Sequence, residues 1–512
     1  MFETRSGLVR GRRRAEDGVF AVLGIPYAAP PFGEGRFAAP RPPDAWRRAR
    51  DSDPFGPVAP QSAALPGMPA WEPGDEDVLS LNVWTGSGGG ARPVFVWIHG
   101  GAYTFGSAAQ PDFDGTALAR AGLVVVTLNY RLGFEGFGHV PDSASGRAFP
   151  ENRGLLDQIA ALEWVRDNIA AFGGDPARVT VAGQSAGAAS VACLTVMERA
   201  RGLFHRAVVH SAVGPVYSPG LAADTTRLVA EAAGVPADAG GLLAASPYDL
   251  VRASDRVVAR LRGNPAAGAR RYDPVLYGPV ADGDVLPADP LAVAAEGRAE
   301  VDLLVCHTTE EYWLVDAVGG CERLTTDAQL ERFARDFGLP DTLVPAYREL
   351  MPGAPVRDVH LAIHGDMSFG EYSSRLAERH ARAGHRTYLA RFARRRADAG
   401  GVVRPWHSAD VPFAFGTLDV PEAAFLIGGP PTAADHDLSR RMVRAWADFA
   451  ATGYPGWRSL TADGAADTVR IWGEDAAGAA DGAGTADGAE GADAHDAFRA
   501  AWRTADYARL HP

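Results

Sequence analysis

Residues 181–190 read VAGQSAGAAS, and at their centre Gly183-Gln184-Ser185-Ala186-Gly187 follows the pattern G-x-S-x-G. A serine hydroxyl is a weak nucleophile at neutral pH. To attack a carbonyl it needs a base that takes its proton, an acid that orients the base, and N–H donors facing the oxygen that becomes negative. Three fixed letters are a weak signal in a chain with 59 glycines, so the motif counts only if a strand, a sharp turn and a helix surround it.

Each partner has candidates. The stretch VFVWIHGGAYTFGS ends a strand in His99-Gly100-Gly101-Ala102, where small residues let the backbone approach a bound oxygen. A flexible glycine turn is the plain alternative, but the position ahead of Ser185 suits an oxyanion loop. The candidate donors are the N–H groups of Gly101, Ala102 and Ala186, the last because the residue after an elbow nucleophile donates. Of 13 histidines, His407 in RPWHSADVPFAF follows the serine with room for an acid between them, as the order serine, acid, histidine requires. His99 competes by its nearness to the glycines, yet it precedes the serine and reads better as a loop-shaping residue. His205, His210 and His307 read as packing groups near strand ends. For the acid, Glu310 and Glu311 stand together in LLVCHTTEEYWLV, and two adjacent carboxylates do not both face one imidazole. Asp157 and Asp410 are alternatives that read as helix or loop acceptors.

Positioning these groups takes a sheet. Apolar, β-branched runs at 94–98, 123–128, 179–182, 207–210, 302–305 and 387–390 alternate with helical segments, the pattern of a mostly parallel sheet covered on both faces. In LLDQIAALEWVRDNIAAF, Leu155, Ile159, Leu162, Val165, Ile169 and Phe172 recur at helical spacing before Gly173-Gly174-Asp175-Pro176 ends the run. Ser185 therefore falls just after the run VTVA and at the start of the small-residue helix SAGAASVACLTVM. The segment up to about Glu76 is rich in Pro and Gly and reads as hairpins and loops. Residues 221–299 read as a helical insertion over the carboxyl ends of the strands. Residues 473–496, almost all Ala, Gly and Asp, read as a disordered surface loop, after which AFRAAWRTADYARL resumes a helical pattern.

The bulk properties narrow the partners. With 512 residues and 46% hydrophobic content, the chain can build one large α/β domain over its whole length. A formal charge of -13 and a pI near 5.5 argue against nucleic acid or an anionic membrane as partner. The basic runs 12–14 and 394–396 read as solvated turns or helix ends. Cys193, Cys306 and Cys321 are too few for a disulfide framework and read as buried thiols. The start MFETRSGLVRGRRR lacks an apolar signal core and no long apolar span follows, so the expected location is cytoplasmic.

The chain resembles the type B carboxylesterases, the cholinesterase-like branch of the α/β-hydrolases that includes bacterial broad-specificity enzymes. The matching segments are FAVLGIPYAAPPFGEGRF, DEDVLSLNVW, WIHGGAYTFGS, NYRLGFEGF, ENRGLLDQIAALEWVRDNIAAFGGDPARVTVAGQSAGAAS, GLFHRAVVHSA, the EEYW segment, HSADVPFAF and WADFAATGYP. They run in family order from about Phe20 to Pro455. The resemblance implies an α/β-hydrolase fold and a serine esterase acting on small-molecule esters without cofactor or metal. It implies Ser185 as nucleophile, Glu311 rather than Glu310 as acid, His407 as base, and Gly101, Ala102 and Ala186 as oxyanion donors. It also implies an ion pair of Arg36 with Glu76 beneath the early loop.

Three departures stand out. Val78 occupies a place where the family often has cysteine, so the early loop lacks that disulfide. Tyr312 follows the acid where glycine is frequent, and its ring is expected to narrow the pocket. The acidic Ala/Gly insert after Gly473 lies beyond all the expected site residues. Trp71, Tyr103, Phe105, Tyr312 and Trp313 are candidates for an aromatic pocket wall, although packing is the commoner role for such residues. A non-catalytic binding member of the family, or a hydrolase preferring thioesters, carbamates or lactones, are the alternatives at this stage.

Overall fold

The computed structural model describes residues 1–13, 18–62, 69–86, 90–142, 146, 148–214, 216–294, 301–398, 401–461, 468–473 and 494–505. Among these, ten strands form one sheet. In chain order they are β1 (Arg12–Arg13), β2 (Val19–Pro26), β3 (Ser80–Gly86), β4 (Arg92–Ile98), β5 (Val124–Leu128), β6 (Gly174–Gln184), β7 (Arg206–His210), β8 (Asp302–Thr308), β9 (Thr387–Phe392) and β10 (Arg470–Trp472). The spatial order is β10-β9-β8-β7-β6-β4-β5-β3-β2-β1. From β5 to β10 every neighbouring pair is parallel, and β3, β2 and β1 extend the β5 edge antiparallel.

All six expected strands are present. The two long antiparallel strands β2 and β3 are additional, and they place the Pro- and Gly-rich early region on the sheet edge. The parallel strands read as unbroken apolar runs because both faces are covered. On β4, Val94, Val96 and Ile98 enter one core, while Phe95 and Trp97 enter the other. On β5, Val124, Val126 and Leu128 divide from Val125 in the same way. Period-two alternation thus sorts one run between two cores. Burying each such side chain contributes roughly 1.5–3 kcal/mol.

The helices that matter for the site are α1 (Arg153–Asn168), α2 (Ala186–Val196), α3 (Pro219–Ala233), α4 (Pro247–Leu261), α5 (Val356–Gly365), α6 (Glu371–Arg382) and α7 (Ala433–Thr452). All six apolar positions spaced along the first run are buried, and α1 ends through a short 3-10 turn at Gly173, whose φ is 79°. Leu438, Met442, Ala445, Trp446 and Phe449 of α7 cover the face opposite α1 and α2. The expected helical insertion contains α3, α4 and shorter helices at Ala239–Ala244 and Pro290–Ala294. Ser218 and Ser246 cap α3 and α4 by accepting from the Leu221 and Asp249 N–H groups.

Of the expected acidic loop, residues 474–493 lie outside the described residues. Residues 494–496, expected in the loop, instead open the helix Ala494–Ala501, into which the first residues of the expected helical pattern continue. Among the described residues no helix is long and apolar enough to cross a membrane. The three cysteines are free and buried.

The basic runs differ from expectation in an instructive way. Arg12 and Arg13 form the exposed edge strand β1. Arg394 is no solvated residue: it is buried, its Nε and Nη2 each donating to Asp435 at 2.9 Å. The expected Arg36–Glu76 pair does not form. Glu76 is exposed, and Arg36 donates from Nη2 to Glu135 at 2.6 Å and from Nη1 to the Ala245 carbonyl at 2.5 Å. The reason is topological: the segment NYRLGFEGF, which follows β5, brings Glu135 beneath the early loop, where burial demands a charged partner.

Candidate active site

Ser185 stands between the end of β6 and the start of α2. Its φ of 56° and ψ of -122° lie where L-residues are strained by roughly 1–3 kcal/mol. The turn depends on close backbone approach. A Cβ on Gly187 would sit 2.0 Å from the Ile98 carbonyl oxygen, so only glycine lets the start of α2 pass the end of β4. The Ser185 N–H donates to the His210 carbonyl at 2.9 Å, tying the turn to the end of β7.

The loop after β4 faces this turn. A Cβ built on Gly100 would meet the Ser185 Cβ at 3.0 Å. Gly101, Ala102 and Tyr103 have φ values of 113°, 51° and 58°, which turn successive N–H groups out of any regular ladder. Among the described residues, the N–H groups of Gly101, Ala102 and Ala186 meet no acceptor. The loop is held from behind, where the Tyr130 hydroxyl donates to the His99 carbonyl at 2.9 Å.

Glu311 and His407, 96 positions apart, meet directly: His407 Nδ1 lies 2.6 Å from Glu311 Oε2, and both residues are buried. The other carboxylate oxygen accepts from Ser211 Oγ at 2.6 Å and from the Thr308 N–H at 2.8 Å. The main chain adds a bond from the His407 N–H to the Glu311 carbonyl, 3.0 Å. With Nδ1 donating to the acid, Nε2 carries the lone pair that can accept a proton. That lone pair is engaged by the Gln184 Nε2 amide at 2.9 Å, next in the chain to the serine. Among the described residues no hydrogen bond joins Ser185 Oγ to His407. Phe369 covers the imidazole, with ring centroids 4.2 Å apart.

Glu310 turns the other way. Its Oε1 accepts from Arg395 and Arg404, both at 2.6 Å. Asp157 is committed to Arg131, accepting from Nε at 2.8 Å and Nη2 at 2.7 Å. Asp410 accepts from His210 Nδ1 at 2.6 Å. His99 shapes the loop, its Nδ1 on the Gly100 carbonyl at 2.8 Å and its ring stacked on Tyr130, and burial lowers its pKa to about 4. His307 is likewise buried, its pKa lowered to about 4 mainly by burial. His205 differs from expectation: it is exposed just ahead of β7, because the strand starts one residue later.

The expected pocket wall is mostly core. Tyr103 is buried against Phe137 at 4.5 Å. Tyr312 is buried with its hydroxyl on Asp273 Oδ2 at 2.7 Å and its ring stacked on His364 at 3.8 Å, so it packs away as a core residue rather than narrowing a cleft. Trp313 lies beneath the Arg404 guanidinium, 4.8 Å away. Two site residues carried no distinct signal in the sequence: Gln184, a variable position of its motif, and Ser211, one serine among many.

Backbone strain marks the site independently. Seven non-glycine residues among those described have positive φ, and five of them, Ala102, Tyr103, Ser185, Ser211 and Ser408, belong to or adjoin this arrangement. Such residues persist where the surrounding structure over-determines them, typically at functional sites.

Comparison with known proteins identifies the family of the chain. A family model described as the carboxylesterase family matches residues 1–463. The chain is 35% identical over 469 residues to the para-nitrobenzyl esterase of Bacillus subtilis (strain 168), covering 89% of this chain and 91% of that one. It is 33% identical over 490 residues to the phenmedipham hydrolase of Pseudarthrobacter oxydans, covering 90% and 93%. The crystal structure of the Geobacillus stearothermophilus carboxylesterase EST55 superposes with a TM-score of 0.77 at 36% identity, covering 92% of this chain and 96% of that one. The chain thus has an α/β-hydrolase fold and belongs to the carboxylesterase family, whose members hydrolyse carboxylic ester bonds through a serine.

Proposed function

We propose that Ser185 is the nucleophile of this carboxylesterase, His407 its general base, Glu311 the acid that orients the base, and the N–H groups of Gly101, Ala102 and Ala186 the oxyanion donors. The observation that carries this reading is the His407–Glu311 hydrogen bond at 2.6 Å, which leaves Nε2 as acceptor beside the strained Ser185 turn. His407 takes the serine proton as Oγ attacks the ester carbonyl, and the three N–H groups receive the oxyanion. The protonated imidazole then gives its proton to the leaving alcohol, and water repeats both steps to release the acid. In the resting arrangement Gln184 occupies the proton-accepting nitrogen, so its amide must yield to Ser185 Oγ as the substrate enters. Catalytic hydrogen bonds often tighten only in the substrate complex.

The proposal extends to a small-molecule ester as substrate and to a reducing, cytoplasmic location, which three free, buried cysteines support. Ser185→Ala is expected to fold and melt like the parent while losing fluorophosphonate labelling and nearly all turnover of a small aryl ester. Wild-type turnover in that variant would overturn the assignment.

A further inference from the structure

Behind the proposed triad lies a second imidazole–carboxylate pair that the mechanism above does not use. His210, the last residue of β7, and Asp410, three residues after His407, are fully buried and share the 2.6 Å Nδ1–Oδ2 contact. The Trp446 indole of α7 donates to His210 Nε2 at 2.7 Å. An indole N–H only donates, so Nε2 carries the lone pair, Nδ1 carries the proton, and His210 is neutral with Asp410 as its acceptor. Burial would raise the Asp410 carboxyl, but the hydrogen bonds it accepts from His210 Nδ1–H and from its own backbone N–H favour the anion and hold it below the usual carboxylate range. It is therefore an anion close to the triad.

His210 and Ser211 touch the stretches that carry Ser185, Glu311 and His407. The His210 carbonyl holds the Ser185 N–H at 2.9 Å, and the Ser211 hydroxyl holds Glu311 at 2.6 Å. The His210 side chain holds Asp410 and with it the loop that carries His407. The Ser211 N–H is fixed on the Cys306 carbonyl of β8 at 2.8 Å. One dipeptide thus links three stretches that lie far apart in sequence. His210, Cys306 and Asp410 also bring ligand-type atoms within 4.8 Å of one another. A cation reading fares worse than a clamp, since both His210 nitrogens are engaged and Nδ1 lies within hydrogen-bonding distance of the carboxylate.

We propose that Asp410, clamped by His210, is a positioning residue of the esterase reaction: it fixes the His407 loop against the end of β7 and sets a second buried negative charge beside the imidazole. This rests on the roles proposed for Ser185, Glu311 and His407. As Ser185 gives up its proton, His407 becomes an imidazolium, and a nearby carboxylate favours that state. The groups facing His407 are Glu311 from the loop after β8, Gln184 from the turn after β6, the Phe369 ring from the segment after α5, and Asp410 on its own loop. Those facing Asp410 are His210 from β7 and the Cys306 thiol from β8. Asp366, which Glu311 acts on electrostatically, has its carboxyl pushed up to about 7, mainly by burial.

The experiment compares Asp410→Asn with the parent in kcat, KM and the pH profile of kcat/KM, alone and in an Asp366→Asn background. The asparagine oxygen still accepts from His210, so the clamp survives and only the charge is lost. The expected result is a kcat lowered roughly tenfold with KM little changed, and an acid limb of kcat/KM displaced to lower pH in both backgrounds. His210→Phe, which removes the donor but keeps a ring, is expected to lose more, and His210→Gln to recover at least fivefold over it. A parental kcat and acid limb in Asp410→Asn would overturn the proposal. Should that variant fail to fold, equal activity of His210→Phe and His210→Gln would overturn it instead. Ser185→Ala, assayed in parallel, separates the two readings: turnover in that variant defeats the triad, whereas an inactive Ser185→Ala beside a parental Asp410→Asn defeats only the role of Asp410.

Discussion

At the scale of single residues, adjacency in sequence says little about shared chemistry. Glu310 and Glu311 are neighbours, yet one carboxylate binds two arginines and the other binds His407, Ser211 and the Thr308 N–H. Glu311→Gln is therefore expected to lower kcat about a thousandfold or more, by spoiling the tautomer of His407 and its stabilisation. Glu310→Gln should stay within about tenfold, because it loosens an arginine cluster rather than the base. Steady-state kinetics on one aryl ester separates the two, and a larger loss from the Glu310 change would reverse the assignment.

At the scale of elements, α5 shows what dense packing costs a titratable group. His360 on this helix is buried against Phe333, ring centroids 4.7 Å apart, with Nε2 unpartnered, and burial lowers its pKa to about 4. Its folded pKa lies below the unfolded value near 6.5, so its contribution to stability is full above pH ~6.5 and is lost as pH falls toward about 4. Phenylalanine fills the same space without titrating. His360→Phe should thus gain about 2 kcal/mol relative to the parent on going from pH 8 to pH 5. Unfolding followed at both pH values checks this, and a pH-independent difference would show that the residue does not titrate in this window.

At the scale of the whole molecule, buried ion pairs fasten the early segment to the rest. Arg36 reaches Glu135 after β5 and the Leu243 and Ala245 carbonyls ahead of α4, so one guanidinium joins three regions. Removing one charge leaves the other buried and uncompensated, which costs about 3–5 kcal/mol. Glu135→Gln is expected to lower thermal stability and speed inactivation, while turnover at low temperature changes little. Thermal inactivation rates measured beside initial velocities test this, and parental inactivation would show that Arg36 finds another anion.

Local patterning determined much of this protein. The β-branched runs marked the parallel strands, the helical spacing of Leu155 through Phe172 marked α1, and the glycines around Ser185 marked a turn too tight for side chains. These signals are local, since propensity and periodicity act over a few residues. They were faint for β2, where Gly24 and Pro26 interrupt the run, for β3, where Ser80, Asn82 and Thr85 break it, and for Gln184 and Ser211, whose types are common. What only the tertiary structure decided are the pairings across long separations. The chain brought Arg36 to Glu135 across 99 positions and His210 to Asp410 across 200, and it set the amide of Gln184 on His407 Nε2. The direction of a side chain at the end of a strand depends on the backbone angles of the turn that follows. Those angles, as the positive φ of Ser185 and Ser211 shows, are imposed by the packing of distant segments rather than by the residue's own preference.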